Sequence, residues 1–574
     1  MSDQPRPADA PTHPQAATGG LAALLGVVIV LGVAIFTLIG TPLGHSYGFN
    51  MAWLVAFDAA ASWASPYPRH LPALWDGLGG LDFFFYGPLP FQIAAGPVAA
   101  LCPGCSPQTL FGLTGGLIWA GSALSFRLFA GRLLPRPAAS AAALVWALMP
   151  YHLGIDWVVR QAAGEFAAYL FLPLVGHGML VALQENRTGW SLPLGMAGLT
   201  LCHLPTVLLA GHVLGLGMLV WALTHPHRAL PVLGRITAMA TAGVAAAAIY
   251  WLPALILLGD VSPEGLHTPD LSPTAWYLIG PGILPDTLYR LALWSCQMAA
   301  LAAAGGAVLI SRGEMRRQLI LWALGPAALV VLLNTSLAAP LWENWIIGQV
   351  QFPFRLTVFS DWAAALAAGV LIATLLARTP PAVRTRRLAL AGLAALAFSG
   401  LIVAAQLPGR VIKGIQAKGD PVAMIGAPEY LPPAVFGPLR ARLTAGNKPI
   451  WEMPRLVRQL AAAAPEAGFL QPAQTAPRAW HTPPSDHGGP LRIALPYWPH
   501  LTAETESGHP VSLTADPDTG LSVIALSPDA SSPGPVLIRL PWHWSEWLGA
   551  LLSGLGMLGM LASGLRGWRR IPRQ

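Results

Sequence analysis

The chain has 574 residues, 54% hydrophobic and only 10% charged, with 22 Trp and a formal net charge of +7. Soluble globular chains carry about a quarter charged residues. This balance, with a mean hydropathy of +0.55, excludes a soluble multidomain enzyme, and its wealth of apolar side chains excludes a disordered chain. A polytopic membrane protein remains.

No Asp, Glu, Lys or Arg occurs between Asp9 and Asp58. Within that gap, residues 21–39 suffice to cross about 30 Å of hydrocarbon at about 1.5 Å per residue. Residues 1–20 carry one Arg, two Asp and no small-residue cleavage site, and read as a cytoplasmic tail before an uncleaved anchor. An outer loop, 42–88, follows. Met51–Trp63 is expected to form an amphipathic helix lying on the outer surface. Beyond it, Asp76 and Asp82 sit with Arg69 among glycines, prolines and aromatics. Such a loop can position an anionic headgroup and a base, or simply present its charges to water.

Further apolar stretches at 107–130, 137–150, 163–183, 190–202, 205–223, 236–257, 290–311, 318–337, 356–377, 388–406 and 547–565 bring the count to about twelve spans. Both termini then lie on one side. With the N-terminus cytoplasmic, the inner segments hold 18 of the 33 basic residues, ending in Arg566, Arg569, Arg570 and Arg573. The short outer loops hold only Arg69, Arg160, Arg290 and Arg355. This bias sets orientation, so the sequence pI of 9.5 is a topology signal and nucleic acid is not an expected partner. The bilayer is.

Two outer segments carry charge next to aromatics. In Tyr151–Arg160 followed by Glu165, Arg160 is spaced to pair with Asp156 or Glu165 on one helix face, a structural pairing that competes with ligand binding. In Gln351-Phe352-Pro353-Phe354-Arg355, the arginine is placed to hold a phosphate at the interface, or to snorkel to headgroups. Cys102-Pro103-Gly104-Cys105 is open to a local disulfide or two free thiols; Cys202 and Cys296 lie in apolar helices. No His, Cys and carboxylate cluster has metal-ligand spacing.

Residues 408–541 form the one long soluble insert. Its second half reads as strands at Leu491–Tyr497, Val511–Ala515, Leu521–Leu526 and Val536–Leu540, with a hairpin turn over Asp516–Gly520. Trp542, Trp544 and Trp547 then anchor the last span at the interface. The expected organisation is a tail (1–20), a transmembrane domain (21–407), an outward domain with a β-rich second half (408–541), and a last span with a basic tail (542–574).

Several segments in order carry a resemblance. They are Pro68–Pro72, Gly77–Pro90 with Phe85-Tyr86, Pro150-Tyr151, Arg160 with Glu165, His203–Thr206, Tyr250–Ala254, Gln351–Arg355, Glu429–Pro432 and Tyr497–Pro499. Together they resemble the GT-C superfamily of polytopic glycosyltransferases. Within it they are most similar to the bacterial branch labelled "6-pyruvoyl-tetrahydropterin synthase-related" membrane proteins, akin to YfhO-like proteins. The resemblance implies transfer of a sugar from a polyprenyl-phosphate donor to a lipid or glycan acceptor on the outer face of the bacterial inner membrane. An acid in the first outer loop would act as base, and basic residues would hold the donor phosphate. Arg69, Arg160, Glu165, Arg355, Gln351, His45 and Tyr86 are the expected substrate-binding residues. No cofactor is fixed, and a divalent cation is compatible.

The sequence departs from that pattern in one place. The family usually opens the loop with His-Asp and a second His; here His45-Ser46 is followed by Asn50. Either Asp58, Asp76 or Asp82 replaces the acid, with Asp82 preferred because its loop matches best, or the protein binds lipid-linked glycan or scaffolds envelope assembly without transfer. A transporter is the remaining alternative, and matching halves with broken helices are not evident.

Overall fold

The computed structural model describes residues 15–263, 271–280, 286–344, 346–377, 381–484, 490–526 and 534–568. Most of the N-terminal tail and the tail arginines Arg569, Arg570 and Arg573 lie outside the described residues. The protein is a polytopic helical membrane protein with a β-rich extramembrane domain. Among the described residues, 11 helices are long and apolar enough to cross a membrane.

Burial sorts these helices. Gly20–Ile39 is the most apolar, with a mean hydropathy of 2.9, yet only 11% of its window is buried by protein, so its surface suits lipid. Ala163–Glu185 is 94% buried and forms the centre of the bundle. Lipid tails are as apolar as leucine, so helices associate through close backbone packing of small residues. A Cβ on Gly112 would stand 2.5 Å from the Phe36 carbonyl, and one on Gly369 would stand 2.6 Å from that of Ala138. Those glycines let Pro107–Ala130 meet the first span and Thr357–Leu375 meet the Ala-rich Arg136–Ala147 helix.

The structure differs from the expected dozen spans at 190–202. That stretch is a 12-residue helix, Ser191–Cys202, about 18 Å long at 1.5 Å per residue. It ends at an extended His203 before Pro205. The outer loop dips to meet its end, where a Cβ on Gly87 would lie 2.1 Å from the Cys202 carbonyl. The stretch expected at 137–150 continues through Arg160 as one 25-residue span. Its second half, Pro150–Arg160, is a π-helix closed by a left-handed Gln161 with φ 53°. Such wide turns are uncommon and recur at functional sites. Cys102 and Cys105 are joined as a disulfide.

The first outer helix is Tyr47–Ala60, and it does not lie on the surface. Asn50, Met51, Ala52, Trp53, Leu54, Ala56 and Phe57 are all buried, because the rest of the outer loop and helix Pro107–Ala130 close over it, with Tyr86, Phe91 and Phe83 packed on Trp53 and Phe57. Phe57, Leu71 and Trp75 share one core with Val435, Phe436 and Leu439 of helix Pro433–Ala445 and Val457 of helix Met453–Ala463.

The β-rich part is a seven-stranded antiparallel sheet in the order β1-β2-β7-β4-β5-β6-β3. The strands are β1 Ala473–Ala476, β2 Ala479–His481, β3 Leu491–Pro496, β4 Thr502–Thr505, β5 Pro510–Ala515, β6 Leu521–Ala525 and β7 Val536–Arg539. The Asp516–Gly520 turn joins β5 to β6: Asp516 Oδ1 accepts from the Thr519 N–H at 3.0 Å, and Gly520 takes φ 71°. Leu81 and Phe84 of the outer loop enter the sheet's core beside Trp480, Ile493 and Trp498. The outer loop thus joins bundle and insert into one body.

Candidate functional site

A cavity of about 1340 Å³ lies where the outer loop, the outer ends of several spans and the insert meet. One wall comes from His45, Ser46, Phe49 and Trp53. Arg160, Glu165 and His203 form its base, Trp276, Tyr289 and Gln351–Arg355 a second wall, and Glu429 with Trp451–Arg458 the insert's side.

Local backbone sets the charged groups. The π-helix carries Tyr151, Asp156 and Arg160 to one side, and Glu165 follows in the first turn of the next helix. Glu165 accepts from Tyr151 at 2.7 Å and from Arg160 at 2.8 Å, while Arg160 also donates to Asp156 at 2.6 Å. Arg355 stands on a 3₁₀ turn, Pro353–Leu356, at the start of a span. Its Nε lies 3.4 Å from Glu165 without making a hydrogen bond among the described residues. Its Nη1 donates to the Val350 carbonyl at 2.7 Å. Phe354 lies under the Arg160 guanidinium and Phe352 under that of Arg355, at 5.1 and 5.0 Å.

Above this cluster, Arg410 donates to the ring of His45 at 3.1 Å and to the Leu43 carbonyl at 3.3 Å. Burial, with Arg410 and Arg160 nearby, holds the His45 pKa down at about 4, so its ring is neutral and accepts that bond. The His45–Ser46 corner is pinned to the end of the π-helix by two backbone bonds of 3.0 Å, His45 N–H to Val159 and Ser46 N–H to Arg160. The lining as a whole has five arginines, Arg160, Arg355, Arg410, Arg455 and Arg458, against three carboxylates, Asp76, Glu165 and Glu429. A concave site with that excess of guanidinium suits an anion.

Seven of the ten residues expected from the sequence line this cavity: Asp76, Arg160, Glu165, Arg355, Gln351, His45 and Tyr86. Asp82, Asp58 and Arg69 do not. Asp82 is 1% exposed; its Oδ1 accepts from Trp53 Nε1 at 2.8 Å and from the Ala427 N–H at 2.9 Å. Burial raises its pKa to about 6, against those two hydrogen bonds. The carboxyl fastens the outer loop to the insert, behind the wall rather than in it. Asp58 is on the exposed face of its helix. Arg69 is buried elsewhere, bonded to Glu546 and the Ile249 carbonyl. Asp76, held in the left-handed region at φ 53°, pairs with Arg458 at 2.6 Å near the cavity mouth.

Sequence reading misses Arg410, Arg458, His203, Tyr289 and Glu429 as lining residues. Only His203 and Glu429 carry a signal, through the segments His203–Thr206 and Glu429–Pro432. Among the described residues, no group of three His, Cys, Asp or Glu is placed to hold a metal ion.

No protein-family model matches the chain, and no curated protein does. Among solved structures, arabinofuranosyltransferase AftD from Mycobacteria is 16% identical with a TM-score of 0.44, over 91% of this chain and 40% of its own. The chain therefore spans less than half the length of that protein. ArnT from Cupriavidus metallidurans, bound to undecaprenyl phosphate, is 14% identical with a TM-score of 0.41, over 80% of this chain and 84% of its own. An Archaeoglobus fulgidus oligosaccharyltransferase tethered to an acceptor peptide is 14% identical with a TM-score of 0.40, over 68% and 55%.

Proposed function

We propose that this protein is a GT-C-like membrane glycosyltransferase of the bacterial inner membrane, of the branch that the sequence resemblance names. It would move a sugar from a polyprenyl-phosphate donor to an envelope lipid or glycan on the outer face. The observation that carries this reading is the outward cavity with five lining arginines against three acids. In it, Arg355 and Arg410 take the donor phosphate while the polyprenyl chain stays in the bilayer. Glu165 holds Arg160 and Arg355 in place from beneath. As the sugar leaves, charge grows on the phosphate oxygens, and guanidiniums fixed in a recessed site stabilise that charge more than bulk water does. Trp276 and Tyr289, set edge to face against Phe352 and Phe354, offer apolar surface to the donor's sugar or its first isoprene units.

A second reading, binding of lipid-linked glycan without transfer, is favoured by Ser46, whose hydroxyl stands where the resemblance expects an acid.

The test of the donor site is native mass spectrometry of the purified protein beside Arg355→Ala. A retained polyprenyl phosphate or its sugar adduct, reduced at least tenfold in the variant, is the expected result. Bulk phospholipid alone in both samples overturns the donor site.

A further inference from the structure

An acceptor hydroxyl that attacks an anomeric carbon must lose its proton, and the loop position expected to accept it holds Ser46. Three carboxylates line the cavity. Glu165 is engaged by Tyr151, Arg160 and Arg355, and Asp76 by Arg458. Glu429 has no arginine, lysine or histidine in ion-pair range among the described residues. Its place is nonetheless fixed. It sits on a one-turn 3₁₀ helix, Pro428–Tyr430. Before that turn the Ala427 N–H is held by Asp82; the Glu429 carbonyl accepts from the Ser262 N–H at 3.2 Å, and Tyr430 stacks on Phe85 at 5.6 Å.

We infer that Glu429, supplied by the insert, is the general base of the transfer, in place of the acid missing at Ser46. The inference rests on the transferase reading. In the step, a bond forms between the acceptor oxygen and the anomeric carbon as the bond from that carbon to the phosphate oxygen breaks. Polyprenyl phosphate leaves with the electron pair, and the hydroxyl proton passes to the Glu429 carboxylate and then to water. Asp82 becomes a positioning residue, because it holds the backbone that precedes Glu429.

The environment fits the task. Burial, reinforced by the Asp82 carboxyl behind it and opposed by its own backbone N–H, raises the Glu429 pKa to about 7. Tyr430 is its other titratable neighbour, while Arg455, Arg458 and Asp76 line the adjoining wall. A base with a pKa near the working pH is efficient, because it is ionised yet still basic.

The experiment incubates the purified protein with undecaprenyl-phosphate-linked hexoses and pentoses and an envelope glycolipid extract, following donor consumption from pH 5.5 to 8.5. The wild type is expected to show a rate that rises with pH through about 7. Glu429→Gln should lose transfer at least 100-fold while retaining polyprenyl phosphate in native mass spectrometry. Glu429→Asp should recover part of the rate, with the acidic limb displaced. Wild-type transfer that persists in Glu429→Gln overturns this assignment and leaves the transferase reading standing. No donor bound or consumed by the wild type overturns both. A difference infrared spectrum between wild type and Glu429→Gln, recorded with and without added acceptor extract, gives a readout without turnover: a Glu429 carboxyl band that shifts on adding the extract is expected, and a band that does not respond overturns the inference.

Discussion

Two buried glutamates among the described residues each stand between two arginines, and they do opposite things. At the cavity base, Glu165 stands between Arg160 and Arg355; the Arg355 Nε is buried against Glu165, and the residue lines an open volume. At the junction of bundle and insert, Glu546 stands between Arg69 and Arg478. Arg478 grips both of its oxygens, at 3.0 and 2.7 Å, and Arg69 adds the Ile249 carbonyl. The second cluster spends its guanidinium donors on protein and fixes three segments to one another: outer loop, β1–β2 turn and last span. The first borders an open cavity. Residue type alone does not separate the two clusters; what lies beside them does.

That contrast can be broken most severely at Glu546. Glu546→Ala leaves two buried guanidiniums without their carboxylate, a change worth about 3–5 kcal/mol. It should appear as a large drop in thermal stability, or as failure to purify as a single species. Arg355→Ala is expected to do the reverse: little loss of stability, within about 1 kcal/mol, but weaker retention of polyprenyl phosphate by about 10- to 100-fold. That range is what one or two charge-assisted hydrogen bonds supply. If Arg355→Ala destabilises as much as Glu546→Ala does, both clusters are clasps and the comparison fails.

Asp82 sharpens it further. Asp82→Ala strands the Trp53 Nε1–H and the Ala427 N–H and should cost about 1–3 kcal/mol. Asp82→Asn can accept both bonds, and should keep transfer within a few-fold. Abolition of transfer in Asp82→Asn with the fold intact would return the base to the outer loop.

The smallest expected effect is on pH. Asp82 and Glu429 have folded pKa values raised to about 6 and about 7, so the folded protein binds protons that the unfolded chain has already released. Stability conferred at low pH is lost as pH rises through those values. Acidification from pH 7.5 to 5.5 should therefore stabilise the wild type modestly, and less so Asp82→Asn or Glu429→Gln, as read by thermal melts.

Much of the architecture is legible because hydrocarbon leaves a strong signal. A run such as 21–39 has few other meanings, and β3, β5, β6 and β7 alternate or cluster apolar residues as strands do. The residues of β1 and β4, Ala473–Ala476 and Thr502–Thr505, carry almost no apolar pattern: β1 is an exposed edge strand, and β4, though central in the sheet, offers only Ala503 to the core. Tyr47–Ala60 is misread for the opposite reason. Its pattern records an apolar face but not its cover, which comes chiefly from the loop that follows, where Tyr86, Phe91 and Phe83 pack on Trp53 and Phe57. The cavity shows the same limit. Arg160, Glu165 and Arg355 announce themselves as charges among apolar residues. Asp82 looks like a loop acid and is a fastener, while Glu429 looks like one more charge in a soluble segment.

The pairs that close this body are far apart along the chain: Asp76 with Arg458 is separated by 382 residues, and Arg69 with Glu546 by 477. A ribosome making this chain stepwise leaves the outer loop without its final partners until the β-rich segment and the last span have been made. The cavity is consequently the last part of the protein to exist. On the proposed transferase reading, a half-made chain has the arginines assigned to a lipid phosphate but lacks the wall that carries Glu429, and so would not spend lipid-linked sugar.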